Sequence, residues 1–178
     1  MGPHGDMAKR AQQLVTKRLV LKPLEEEDRR AVIAMCKSTE VKQTYMLPDL
    51  ETEDRANGFF EKLMELGRSQ EHFFYGIYAG GTFAGWVNDC GGDGNCVEFG
   101  YAVAPAYWGK GYAGEAAEAC IAELFRIGYS RVEAGYFEEN SASRRVMEKC
   151  GMRPVGKTEE IPYRGKKHIC LYYAIEKG

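Results

Sequence analysis

Between Glu98 and Ala119 the chain reads EFGYAVAPAYWGKGYAGEAAEA, with Gly109, Gly111 and Gly114 lying between Pro105 and an alanine-rich helical stretch. That composition suits an anion site. The first amides of a helix have no intrahelical acceptor, and aligned peptide dipoles place about half a positive charge at the same end. Glycines there leave the main-chain nitrogens bare, so a diphosphate can sit directly against them.

The same glycines spell GxGxxG, and Glu133 follows near the distance at which a dinucleotide-binding unit places its ribose-binding acid. Two features weigh against a nicotinamide-nucleotide oxidoreductase. Pro105, Ala106, Tyr107 and Trp108 separate the preceding strand from the first glycine, and a single strand-helix-strand unit leaves no second mononucleotide half.

Bulk properties narrow the partners. The 178 residues are 44% hydrophobic and 28% charged, enough for one domain with a sizeable core. A net charge of −2 argues against sequence-independent nucleic-acid binding. No apolar run approaches a membrane span and no signal peptide opens the chain, so a cytoplasmic protein without membrane or nucleic-acid partners is expected, as monomer or homodimer. The six cysteines are scattered and read as reduced thiols. Cys90 and Cys96 flank GGDGN and either face each other across a hairpin or fill strands. His4, His72 and His168 have no ligand spacing, so no metal is expected. Residues 1–16, opening MGPHGDM, read as a flexible tail or appended residues, and 17–178 as a single domain.

The elements that must position the glycine loop follow from periodicity. A strand over Arg18–Leu24 precedes a helix in EEEDRRAVIAMCKS, acidic at its start and basic at its end. A looser stretch, VKQTYMLPDLETED, leads to a second helix from about Glu53, stopped by Gly67. His72–Tyr78, Thr82–Asp89 and Cys96–Val103 are joined by AGG and GGDGN and form antiparallel neighbours. On the last of these, Val97, Phe99, Tyr101 and Val103 share one face, with Glu98 and Gly100 on the other. The helix from about Gly111 to Ile127 buries Ala113, Ala116, Ala117, Cys120, Ile121 and Leu124, and its crossover makes Arg131–Phe137 parallel to the strand before it. Asn140 reads as the N-cap of SASRRVMEKC, and a hairpin around PYRGK closes the chain.

VAPAYWGKGYAGEA (103–116) and ENSASRRVMEKCGM (139–152), in this order of elements, resemble the GCN5-related N-acetyltransferase (GNAT) superfamily, within it the group that acetylates ribosomal-protein N-termini. The resemblance spans nearly the whole chain from Arg18. It implies an α/β (α+β) fold: a twisted, mixed, mostly antiparallel sheet of about seven strands, splayed between the fourth and fifth, with about four helices. Acetyl-CoA would wedge into the splay as co-substrate, its pantetheine against main-chain groups of Tyr101 and Val103. Its diphosphate would take the amides of Gly109, Lys110, Gly111, Tyr112, Ala113 and Gly114, and the Asn140 side chain would meet the pantetheine region. Trp108 stands where the superfamily usually has Gln or Arg, as in the ribosomal-protein group. Met147 stands where many members carry a proton-donating Tyr, and Met cannot donate.

Acetyl transfer requires a neutral amine and a route for its proton. Glu98 is the candidate base, its alternative being a solvated glutamate on the polar side of a strand. Ser143 is the candidate acid, its alternative a hydroxyl satisfying a helix-end amide. A fourth-strand amide such as that of Tyr101 would hold the developing oxyanion. Lys110, Arg144, Arg145 and Lys149 either meet phosphate or carry solvated charge. Tyr163, Tyr172, Tyr173 and Tyr45–Leu50 are expected to border the acceptor, a protein N-terminus or a small-molecule amine. An acyl-CoA-binding sensor without turnover is the competing reading.

Overall fold

The computed structural model describes residues 5–178. Alternation of Leu19 and Leu21 with Val20 and Lys22 forms the strand β2 (Leu19–Lys22), with both leucines buried. Its sheet also contains β1 (Leu14–Val15), β3 (Phe74–Ala79), β4 (Thr82–Asp93), β5 (Cys96–Val103), β6 (Arg131–Phe137), β7 (Arg153–Tyr163) and β8 (Lys166–Glu176). The spatial order is β1-β2-β3-β4-β5-β6-β8-β7. Gly80 and Gly81, at φ of 58° and 80°, form the tight turn that sets β3 against β4.

The helices α1 (Arg29–Lys37), α2 (Thr39–Thr44) and α3 (Glu53–Arg68) cover one face, where Val32, Met35, Phe60 and Leu63 meet Phe74 and Trp86. On the other face lie α4 (Tyr112–Arg126) and α5 (Ser141–Lys149), with Ala116, Ala117, Cys120 and Leu124 against Val97, Phe99 and Val132. Alanines at the contact bring α4 close to the sheet. The site depends on that closeness.

The crossover through α4 makes β5 and β6 the parallel pair, and the pairing is brief. Cys96, Val97 and Glu98 lie opposite Arg131, Val132 and Glu133, after which the two strands have no ladder between them. This is the expected splay, displaced by one in the count because the two-residue β1 adds a strand.

The mixed, mostly antiparallel sheet is as expected, with eight strands where about seven were counted and, through α2, five helices where about four were. Other expectations are corrected. α2 lies in the stretch read as loose; its six residues are too few to show a period, and its capping bond from Val41 N–H to Ser38 Oγ spans 3.4 Å. Gly67 does not stop α3, which continues to Arg68, and Gly67 is buried against Pro23. Residues 1–4 lie outside the described residues, but the rest of the segment read as a tail is tied to the body. Met7 enters the core, Arg10 donates to the carbonyls of His72, Gly67 and Ser69, and Ala11 N–H donates to Glu123 at 2.6 Å. Side chain to main-chain bonds hold this segment, and these leave no hydrophobic period to read. No helix among the described residues is long and apolar enough to cross a membrane.

Candidate active site

The α4 N-terminus is built to present bare nitrogen. The first main-chain bond into the helix is Glu115 N–H to the Gly111 carbonyl at 3.1 Å. Among the described residues the amides of Gly109, Lys110, Gly111, Tyr112, Ala113 and Gly114 find no protein acceptor, and no side chain caps the helix. Gly109 and Gly111 hold φ of 75° and 78°, a left-handed conformation that costs other residues roughly 1–2 kcal/mol. A Cβ at Gly109 or Gly114 would meet nothing within 4 Å, so both face open space. The cradle therefore fits a diphosphate: unpartnered donors, a helix dipole and room.

One feature of the cradle works against an anion: Glu115 in the first turn. It is neutralised from behind. Thr16 Oγ1, Arg18 N–H and Arg18 Nε donate to the Glu115 carboxylate at 2.6, 2.9 and 2.8 Å, while Arg18 Nη1 donates to the Lys110 carbonyl at 2.7 Å. The guanidinium also lies 4.8 Å from the Tyr112 ring centroid. Burial opposes ionisation of Glu115, but the bonds from Thr16 and Arg18 outweigh it and lower its pKa. Arg18→Ala is expected to weaken CoA binding roughly tenfold by exposing this charge and freeing the Lys110 carbonyl, the loss shrinking as salt rises, measured by calorimetry.

The cradle opens into a cavity of about 620 Å³ that follows the splay. The Ala104 N–H bonds to the Ala84 carbonyl, so alternation along β5 turns the main-chain groups of Tyr101 and Val103 toward the gap. The Val103 carbonyl is already engaged, accepting from the Trp108 indole at 2.7 Å, which leaves its N–H. Trp108 thus pins the loop to the strand. Asn140 caps α5 by accepting from Ser143 N–H at 3.1 Å, which uses Oδ1 and leaves its amide nitrogen at the cavity wall.

Glu98 lines the cavity at the last paired position before the splay. Burial raises its pKa above the ordinary glutamate value, with Glu133 and Glu159 adding to the rise and Lys157 opposing it. No ion pair or hydrogen bond holds it among the described residues, so a half-buried carboxylate faces the chamber alone. Ser143 lines the same cavity, and its hydroxyl lies 2.9 Å from the Tyr101 hydroxyl instead of satisfying a helix-end amide. Met147 is 1% exposed and packs into the core, away from the chamber.

At the far end the chamber is walled by Thr44, Tyr45, Met46, Ile161 and Tyr172. A clasp joins the loop after α2 to the β7–β8 turn: Leu47 N–H donates to the Tyr163 hydroxyl, which donates to the Tyr45 carbonyl, both at 3.2 Å. Arg164 adds bonds to the Leu47 carbonyl at 3.2 Å and Asp49 at 2.8 Å. Tyr173 was expected here and lies elsewhere. It points to the opposite face, its hydroxyl on Glu148 and its ring against Tyr136.

The remaining charges do not converge on the cavity: Lys110, Arg144, Arg145 and Lys149 are absent from its lining, and Arg144 pairs with Glu148. Cys90 and Cys96 are free thiols; Asp93 and Cys96 face each other across the β4–β5 ladder, whereas Cys90 lies over Gly100 at the chamber wall. No local pattern signals the relay in which Trp86 donates to the Tyr45 hydroxyl and Tyr45 to Asn88, at 3.1 and 2.6 Å. Glu133, the acid of the dinucleotide pattern, pairs with Arg131 and lies outside the cavity lining.

Comparison with known proteins identifies the family and the fold. The family model described as Acetyltransferase (GNAT) domain matches residues 18–153. The chain is 26% identical over 170 residues to the uncharacterized N-acetyltransferase YoaA of Bacillus subtilis (strain 168), covering 92% of this chain and 96% of that protein. An acetyltransferase (GNAT family) from Bacillus anthracis superposes with a TM-score of 0.79 at 28% identity, over 92% of this chain and 98% of that one. RimL, a ribosomal L7/L12 alpha-N-protein acetyltransferase solved in complex with coenzyme A, shares the fold at a TM-score of 0.77 and 19% identity, over 92% and 96% of the chains. The chain belongs to the GNAT family of acyl-CoA-dependent N-acyltransferases.

Proposed function

We propose that this enzyme moves an acetyl group from acetyl-CoA to a primary amine, on a protein N-terminus or a small molecule, by direct attack with both substrates bound. The observation that carries the reading is continuity: the unpartnered amides of Gly109–Gly114 open into the same cavity that Glu98 and Ser143 line. When bound, acetyl-CoA supplies an acetyl thioester whose C–S bond breaks as the C–N bond forms.

The chain's own residues do the rest. The cradle amides and the main-chain groups of Tyr101 and Val103 bind and orient. Glu98 takes the amine's surplus proton; a raised pKa makes it a better base for an ammonium than an exposed glutamate would be. The Tyr101 N–H faces the gap as a donor for the carbonyl oxygen, and Ser143 donates to the departing sulfur. The clasped aromatic end of the chamber borders the acceptor.

The test is thiol release from acetyl-CoA against a panel of peptide N-termini, polyamines and amino sugars, with products identified by mass. Acetylation of any of them supports the reading. Tight acetyl-CoA binding with no acetylated product from the whole panel would favour a sensor instead.

A further inference from the structure

A serine in the first turn of a helix ordinarily turns its hydroxyl back to a main-chain acceptor of its own helix, which hides its proton. Ser143 has a different neighbour. The Tyr101 hydroxyl reaches across from β5 and lies 2.9 Å from Ser143 Oγ and 3.2 Å from the Ser143 carbonyl oxygen. A carbonyl can only accept, so the phenolic proton faces two oxygens of one residue and can be shared between them. With Tyr101 as donor, the Ser143 oxygen is occupied and its own proton must point elsewhere. Both residues line the cavity, and the direction left open is the chamber.

We infer that Tyr101 is a positioning residue: its phenol donates to Ser143 Oγ and thereby commits the Ser143 proton to the sulfur that leaves. This rests on the role proposed for Ser143. Burial raises the Tyr101 pKa above the usual phenol value, so the phenol stays a donor at every pH at which the enzyme works. The proton count closes without either hydroxyl giving up its proton. As the C–N bond forms and the C–S bond breaks, the bonding pair stays on sulfur, the neutral amine loses one proton and the sulfur gains one through solvent. Ser143 stabilises the sulfur's charge as a hydrogen-bond donor, and Met147, buried in the core, has no part in it.

The experiment compares Tyr101→Phe, Ser143→Ala and the double variant. It reads kcat, acetyl-CoA affinity by calorimetry, and the pKa of the CoA thiol in the enzyme complex by its thiolate absorbance. Ser143→Ala is expected to lower kcat about 10- to 30-fold, since a hydrogen bond to a charged group is lost. Tyr101→Phe is expected to lower it about fivefold with affinity unchanged. The double variant should be no slower than Ser143→Ala, and each single variant should raise the bound thiol's pKa. A normal Ser143→Ala enzyme removes the Ser143 role and this inference with it. A slow Ser143→Ala enzyme beside a normal Tyr101→Phe enzyme, or effects that multiply in the double variant, would overturn the Tyr101 role alone. So would a Tyr101→Phe enzyme that loses acetyl-CoA affinity without moving the thiol pKa.

Discussion

Glu98→Gln is expected to lower kcat/KM by about 10²- to 10³-fold while leaving acetyl-CoA affinity unchanged, and to remove the acidic limb of the pH–rate profile. Burial is the main reason the Glu98 pKa is raised, with Glu133 and Glu159 contributing, so the carboxylate still holds a proton at a pH where an exposed glutamate has lost it. The sign follows directly. Activity needs the carboxylate form, and the acidic limb therefore lies above the range of an ordinary glutamate. Lys157 acts in the opposite direction, so Lys157→Met should move that limb to still higher pH without abolishing it. An unchanged profile in Glu98→Gln would take Glu98 out of the mechanism.

Gly114→Leu should separate binding from folding. Gly114 has no positive φ and a Cβ there meets nothing within 4 Å, so a side chain enters the cradle without backbone strain. Leucine favours a helix over glycine by several tenths of a kcal/mol or more, and the melting temperature should not fall. The branched side chain fills the space in front of the free amides, and CoA affinity is expected to drop at least about 100-fold, near 2.7 kcal/mol. Retained affinity would show that the diphosphate does not lie against this turn.

Much of this site could be read from the chain because its signals are local. The glycines at 109, 111 and 114, the start of α4 and the Asn140 cap all depend on a few neighbouring residues, and local geometry is what propensity describes. The antiparallel run β3-β4-β5 followed from the brevity of the turns, and the parallel β5–β6 pair from the crossover through α4. The misses arose at long range or from register. Tyr172 and Tyr173 are adjacent, and a period of two sends one to the chamber and the other to the far face; the sequence does not say which. The Arg18 strap joins residues 97 apart. Even so, an acid in the first turn of an anion-binding helix is a conflict visible in the letters, and it required a cation from elsewhere. The hydroxyl pair of Tyr101 and Ser143 and the Trp86–Tyr45–Asn88 relay left no such trace.

Whether the main chain from Gly109 to Gly114 holds the diphosphate of coenzyme A is decided by an amide-resolved titration. In ¹⁵N-labelled protein titrated with CoA, the largest shifts and the strongest exchange protection are expected on the amides of Gly109, Lys110, Gly111, Tyr112, Ala113 and Gly114. Saturable CoA binding that leaves those amides unmoved, or NADH shifting them where CoA does not, would contradict that placement.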